Sequence, residues 1–275
     1  MFTNALRFVL IIIFLISSCR PIQNYLEPDS PKFEGVYIKD KEIPDGVLKV
    51  ITWNIRYSLE TEKAIEELYD KDELNEADLL LLQEVDEKSV KSIAESLRYA
   101  YIYYPASKHT FHNNNFGNAV LSKWPIIYTE KVILPYQNPK NQQKRIAVKA
   151  GVIIRDDRVA VYSVHTETNW MSKKRRDIQI DYLINEVGDD DEHVIIGGDF
   201  NTLLNASVRN LENILSKKDT VRATKRVGYS VDFLGFKFPM DHIFTKNFRV
   251  LANGIWQGSL ASDHFPVWVI LEFDD

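Results

Sequence analysis

Short, wholly apolar runs that stop abruptly at a polar residue constrain this chain more than any other feature. "VIIGGDFNT" shows the type: Val194 to Ile196 meet Gly197 and Gly198, and then come Asp199, Phe200 and Asn201. "ADLLLLQEV" is a second, ending near Glu84. Such runs are too short and too uniformly apolar for a surface helix, and read as strands covered on both faces. "LKVITW" reads as a further buried strand, and strand-like stretches recur at "AYIYY", "NAVLS", "PIIYTEKVIL", "RIAVKAGVII", "VAVYSVH", "DHIFT", "FRVLANGIW" and "PVWVILEF". Helical spacing is confined to four places. Glu60 to Tyr69 puts Ala64, Ile65 and Leu68 on one face, and a second helix starts at Ser89 with Ile93 and Leu97. A third is N-capped by Ser172 and runs to about Val187, and a fourth lies near Val208 to Leu215. Helices interrupt strands irregularly, which argues against a TIM barrel or a simple doubly wound sheet. An α/β fold of two packed sheets with helices outside fits the pattern.

The apolar share is 45% over 275 residues, enough for one large core. A net charge of -5 gives no global positive field. This weighs against a tight, non-specific nucleic-acid binder and leaves room for a local basic cleft. The N-terminus reads "MFTNALRFVLIIIFLISSC". Arg7, an apolar run from Phe8 to Ile16 and small residues before Cys19 make an export signal, shorter than the roughly 20 apolar residues of a spanning helix. "ISSC" resembles the lipobox of bacterial lipoproteins. That resemblance implies a signal peptide over 1–18, acylation at Cys19, and a mature protein tethered by lipid outside the cytoplasm. Cys19 is the single cysteine, so no internal disulfide forms. Residues 19–46 hold four prolines and no sustained apolar period, and read as a tether leading into a domain over 47–275.

The polar residues at the strand ends share a chemistry. Asn54 follows "VITW", Glu84 follows "LLLLQ", Asn118 opens "NAVLS" and His165 ends "VAVYSV". Asp199 and Asn201 end "VIIGG"; Asp241 and His242 precede "IF", and Asp263 and His264 precede "FPVWVI". Buried carboxylates are costly unless paired, hydrogen-bonded or bound to metal. Carboxylates and carboxamides, with only six histidines in the chain, suit a hard cation such as Mg²⁺ or Mn²⁺. An Asp beside a His in sequence forms no dyad, because strand neighbours face opposite ways, but an Asp from one segment can orient a His from another. Strand alternation puts Asp199 and Asn201 on one side and Phe200 on the other. Gly197 and Gly198 let a phosphate or a neighbouring backbone come close.

Taken in order, "TWNIR", "LLLLQEV", "GNAVLSKWPI", "VYSVHTE", "GGDFNT", "DHIF" and "SDHFPV" resemble the endonuclease/exonuclease/phosphatase superfamily, over roughly residues 47–273. Its members include DNase I-like nucleases, abasic-site endonucleases, inositol-polyphosphate 5-phosphatases and neutral sphingomyelinases. The resemblance implies a four-layer α-β-β-α sandwich of two mixed β-sheets. It implies Glu84 as the main metal ligand, with Asn54 beside it and Asp263 adding to the metal environment. Asp199 matches the aspartate that orients or deprotonates the attacking water, and Asn201 the partner that holds water or phosphate. His264 matches the histidine at the scissile phosphate and Asp241 the carboxylate that orients it. His165 matches a phosphate binder or general acid, Arg145 an arginine that touches phosphate, and Asn118 a support for His165 or the phosphate.

Two positions depart from parts of the superfamily. Arg56 stands where abasic-site endonucleases carry an aspartate, and Thr166 where many phosphatase members have Leu. The expected activity is Mg²⁺-dependent phosphodiester hydrolysis, with Mn²⁺ as a substitute, on nucleic acid or a phospholipid-type head group. The alternative is a non-catalytic surface lipoprotein that binds phosphorylated ligands.

Overall fold

The computed structural model describes residues 22–38, 46–109, 113–168 and 171–274; the expected signal segment and Cys19 lie outside the described residues. In chain order the strands are β1 (Gln23–Asn24), β2 (Phe33–Val36), β3 (Val47–Asn54), β4 (Leu79–Val85), β5 (Ala100–His109), β6 (Asn114–Ser122), β7 (Ile126–Ile133) and β8 (Ile146–Ile154). They continue as β9 (Asp157–His165), β10 (His193–Asp199), β11 (Val221–Arg222), β12 (Val231–Phe233), β13 (Phe236–Phe238), β14 (Asp241–Lys246), β15 (Phe248–Ile255) and β16 (Val267–Phe273). The α-helices are α1 (Thr61–Asp70), α2 (Glu87–Leu97), α3 (Lys173–Asn185) and α4 (Asn205–Leu215).

One sheet runs β1-β5-β6-β4-β3-β16-β15, with β2 also on β5; the other runs β11-β14-β10-β9-β8-β7. Each is mixed: β3–β4 and β9–β10 are parallel pairs among antiparallel neighbours. Period-two alternation sorts the apolar side chains into layers. Val50, Leu79, Leu81 and Val120 of the first sheet meet Val148, Val161, Ile195 and Ile243 of the second in the central layer. On the outer face of the first sheet, Ile51, Trp53, Leu80 and Leu82 pack against Ala64 and Leu68 of α1 and Val90 and Ile93 of α2. Tyr162, Val194 and Ile196 pack outward against Leu183 and Ile184 of α3 and Leu211 and Leu215 of α4. The strands read as continuous apolar runs because both faces are covered, each buried Leu or Ile contributing about 1.5–3 kcal/mol. This is the expected four-layer sandwich.

Two local expectations are corrected. The second helix starts at Glu87, not Ser89, because Asp86 caps it by accepting the Ser89 N–H at 2.9 Å. Residues 19–46 are not wholly a tether: β1 pairs with Ser107 and Lys108, and β2 with Ala100 to Tyr103. Lys131 Nζ also donates to Ser30 O at 2.6 Å. These short strands cover the edge that β5 would otherwise present, a place where the intervening prolines lose little because edge N–H groups need not pair.

Candidate active site

The polar strand ends meet because the inner-face stripe of each strand ends at the same rim. In β3 the stripe runs Leu48, Val50, Thr52, Asn54; in β4, Leu79, Leu81, Gln83; in β9, Val159, Val161, Ser163, His165; in β10, Ile195, Gly197, Asp199. Asp241, Asp199 and His165 are direct cross-strand partners on β14, β10 and β9. Asn54, Gln83 and Asn118 form the matching row on β3, β4 and β6. Asn54 Nδ2 donates across the gap to Asp199 Oδ2 at 3.1 Å. One step deeper, Gln83 Nε2 donates to Ser163 Oγ (3.0 Å) and Ser163 Oγ to Leu82 O (2.9 Å), which fixes the two sheets' separation.

The two glycines before Asp199 serve this closeness. A Cβ on Gly197 would lie 2.5 Å from Leu81 Cδ1 of the opposite sheet, and one on Gly198 1.9 Å from the Val164 carbonyl oxygen. It is therefore neighbouring protein that they admit. β10 ends at Asp199, so strand alternation does not carry on to Asn201. The chain turns instead: Asp199 Oδ1 accepts the Asn201 N–H at 2.8 Å, Asn201 sits at φ +51°, and its Nδ2 donates to Thr166 O at 3.1 Å. Phe200 faces the helix side, as expected.

Glu84 reaches the rim through a β-bulge between Gln83 and Val85, with φ at +57°. A left-handed glutamate holds about 1–3 kcal/mol of strain, and such bulges re-aim side chains beside sites. Its carboxylate is 14% exposed, with Oε1 3.9 Å from His165 Nε2. Burial raises its pKa.

His165 and His264 are held in opposite charge states. Arg145 Nη1 lies 3.2 Å from His165 Nδ1. A guanidinium only donates, so Nδ1 is the acceptor and the proton sits on Nε2, 3.4 Å from Asp199 Oδ2. Burial, with Arg145 and His264 adding to it, holds the His165 pKa well below its usual value. His264 Nδ1 instead bonds Asp241 Oδ2 at 2.7 Å, and its Nε2 lies 3.9 Å from Asp199 Oδ2. Burial opposes its charge, but Asp241 and Asp199 outweigh burial and push it up to about 10. Asp199 is itself pushed up to about 7 by burial and by Asp241.

Asn54, Glu84, Arg145, His165, Asp199, Asp241 and His264 thus converge. The side chains of three named residues point to other work. Asn118 is a tie between sheets, its Nδ2 donating to Ile146 O (3.0 Å) and Ser163 O (3.1 Å). Asp263 lies exposed at the rim, 3.5 Å from Arg56 Nε. Asn201 is buried in its turn, with its amide nitrogen on Thr166 O. His242 faces the helix side, with its Nε2 at Thr202 Oγ1 and Pro239 O, and burial lowers its pKa to about 4.

The strand-end pattern passes over Glu167 and Phe116. Glu167 is fully buried, accepts from Asn138 Nδ2 at 2.9 Å and lies 3.8 Å from Arg145 Nε; the Phe116 ring lies 5.2 Å from the same guanidinium. Glu167 stood two residues past His165, in "HTE", as its one signal. The residues placed to hold a cation are Glu84, Asp199 and Asp241, with Asn54. Donor atoms of Asp199, Asp241 and His264 lie within 4.8 Å of one another, and Asp241 Oδ1 is buried with no hydrogen-bond partner among the described residues. An oxygen-rich set of this kind fits a hard divalent ion.

A sequence profile of the Endonuclease/Exonuclease/phosphatase family matches residues 51–264. Among solved structures the chain is similar to an endonuclease/exonuclease/phosphatase from Beutenbergia cavernae (17% identity, TM-score 0.66, 82% of this chain and 72% of that one). It is similar to TDP2 from D. rerio, solved with a single-strand DNA product (17%, 0.66, 83% and 100%). It is also similar to a mannosyl-6-phosphatase from Bacteroides thetaiotaomicron (20%, 0.63, 82% and 100%). No curated protein gives a significant match. At these identities the structural likeness carries the fold: mixed sheets between flanking helices.

Proposed function

The chain belongs to the endonuclease/exonuclease/phosphatase family, whose members hydrolyse phosphoric ester bonds, and on that premise we propose that it is a Mg²⁺-dependent phosphodiesterase that attacks phosphorus with water. The observation that carries this reading is the row Asp241–Asp199–His165 in register on three adjacent strands, with His264 bonded to Asp241. Glu84, with Asn54 beside it, would hold the cation, and Asp263 lies too far out in solvent to join them. When bound, a divalent ion polarises a non-bridging phosphate oxygen and stabilises developing charge.

The chain's own residues supply the rest. Asp199 is held at both oxygens, Oδ1 by the Asn201 N–H and Oδ2 by Asn54 Nδ2, and Oδ2, which faces both histidines, has a second lone pair to take the proton of the attacking water. A carboxylate with its pKa near 7 suits that transfer. His264, kept cationic by Asp241, sets positive charge beside the phosphate. His165 is neutral and offers its Nε2–H as a hydrogen-bond donor, which supports phosphate binding over proton donation. Arg145 fixes that tautomer and adds positive charge to the cleft. The substrate classes are nucleic acid and a phospholipid-type head group. The N-terminal "ISSC" supports lipid anchoring outside the cytoplasm.

The test is a panel of plasmid DNA, RNA, phospholipid and bis-p-nitrophenyl phosphate, run with Mg²⁺, Mn²⁺ or EDTA, for the parent protein and Asp199→Ala. Metal-dependent turnover that falls by about 10²–10⁴ in the variant is expected. Activity in EDTA, or full activity in the variant, overturns the mechanism. Inactivity on every substrate favours the ligand-binding alternative.

A further inference from the structure

Between β11 and β14 the chain leaves both sheets and forms the β12–β13 hairpin. β13 leads directly into β14, whose first residue is Asp241 at the rim, so the hairpin stands beyond that rim. Its base is joined to the site. Val231 bridges to His264, Phe265 N donates to Ser230 O at 2.7 Å, and Ser230 Oγ accepts the Asp241 N–H at 3.0 Å.

Its tip is apolar and exposed: Phe233 is 65% exposed, Leu234 85% and Phe236 67%. Phe233 and Phe236 are cross-strand partners around the turn Leu234–Gly235. Both turn residues have positive φ, +52° for Leu234 and +84° for Gly235, the geometry for which Asn-Gly is preferred. A leucine there is strained and has no packing to offset the strain. A strained, exposed apolar side chain flanked by two exposed phenylalanines points to a partner that buries all three. Exposed basic residues flank it in the chain, Lys225 and Arg226 in the segment leading to β12 and Lys237 on β13, against Asp232, whose Oδ1 already accepts the Gly235 N–H at 2.9 Å. This local positive charge stands out in a chain of net charge -5.

We propose that the β12–β13 hairpin docks on a lipid surface and seats the candidate active site on it, so that the phosphoester hydrolysed is that of a phospholipid head group. The inference rests on the phosphodiesterase reading and chooses between its two substrate classes. Phe and Leu enter the acyl boundary of a bilayer while Lys and Arg meet anionic head groups. Single-stranded nucleic acid needs aromatic stacking platforms along a basic groove, and a leucine at the tip is not one.

The full-length protein is compared with a variant carrying Phe233→Ser, Leu234→Asn and Phe236→Ser; asparagine suits the turn, so folding is expected to be retained. Both also carry Cys19→Ser, so no acyl chain holds either on the vesicle and their difference reads the hairpin. On vesicles of phosphatidylcholine and phosphatidylglycerol, the variant is expected to lose at least about tenfold in lipid hydrolysis and in co-sedimentation, while its rate on soluble bis-p-nitrophenyl phosphate stays within about twofold. A Phe236→Trp variant is expected to show quenching by brominated lipid beyond that of the parent. Equal vesicle binding by parent and triple variant overturns the proposal. So does a selective loss of DNA cleavage, or a solution dimer that the triple variant dissolves. Co-sedimentation and quenching need no turnover, so a failed phosphodiesterase reading stays distinguishable from a failed docking surface.

Discussion

Asp241 and His264 come from segments with no sequence proximity, yet their 2.7 Å bond sets the charge of the cleft. His264 has its pKa raised above 6.5, to about 10. Its contribution to stability is therefore complete below pH 6.5 and is lost as pH rises through about 10. Asp241→Asn is expected to move the His264 titration midpoint down by more than two pH units, because both the charge and the hydrogen bond of Asp241 are lost and burial is then opposed only by Asp199 and, more weakly, Asp263. Histidine NMR checks this; a midpoint still near 10 refutes the assignment. Asp199 works in the other sense. In the proposed mechanism its carboxylate must be ionised to take a proton, so the metal-free pKa near 7 sets an upper bound on the acid limb of the rate profile. Bound metal is expected to lower that limb, and a titration of rate against pH at several Mg²⁺ concentrations reads the displacement.

At the scale of elements, the bulge in β4 places function against stability. Glu84 at φ +57° is strained, and its carboxylate is partly desolvated. Glu84→Gly removes both burdens at a position where glycine is at ease. Thermal unfolding is expected to shift upward by a few degrees, about 1 kcal/mol or more, while metal-dependent activity falls to background. A variant that unfolds earlier than the parent counts against the strain. The bulge was not legible in "LLLLQEV", since bulges answer to the partner strand's register, which only the paired sheet defines. The apolar runs were legible, because burial on both faces leaves its mark on every residue of β3, β4 and β10. Edge strands β1 and β2 were not: only part of each faces protein, and their partner is chosen by the open side of β5.

At the scale of the whole molecule, an apolar hairpin flanked by basic residues stands beside the site, and a lipid is expected at Cys19. Cys19→Ser is expected to move the protein from the membrane to the soluble fraction of its host, and unchanged fractionation counts against acylation. The amino-acid sequence determined the layers and the residue types at the rim, because alternation, apolar runs and carboxylates are properties of contiguous residues. It marked Asp199, Asp241, His165, His264, Glu84 and Asn54 as one chemistry. The tertiary structure alone decided which of the named residues face the cleft. Asn118 and Asn201 are drawn into backbone bonds, Asp263 is left in solvent, and Glu167 is buried behind Arg145. Those outcomes depend on distances between strands remote in the chain, and a hydrogen bond is settled by which partner lies within about 3 Å, a quantity that no local pattern contains.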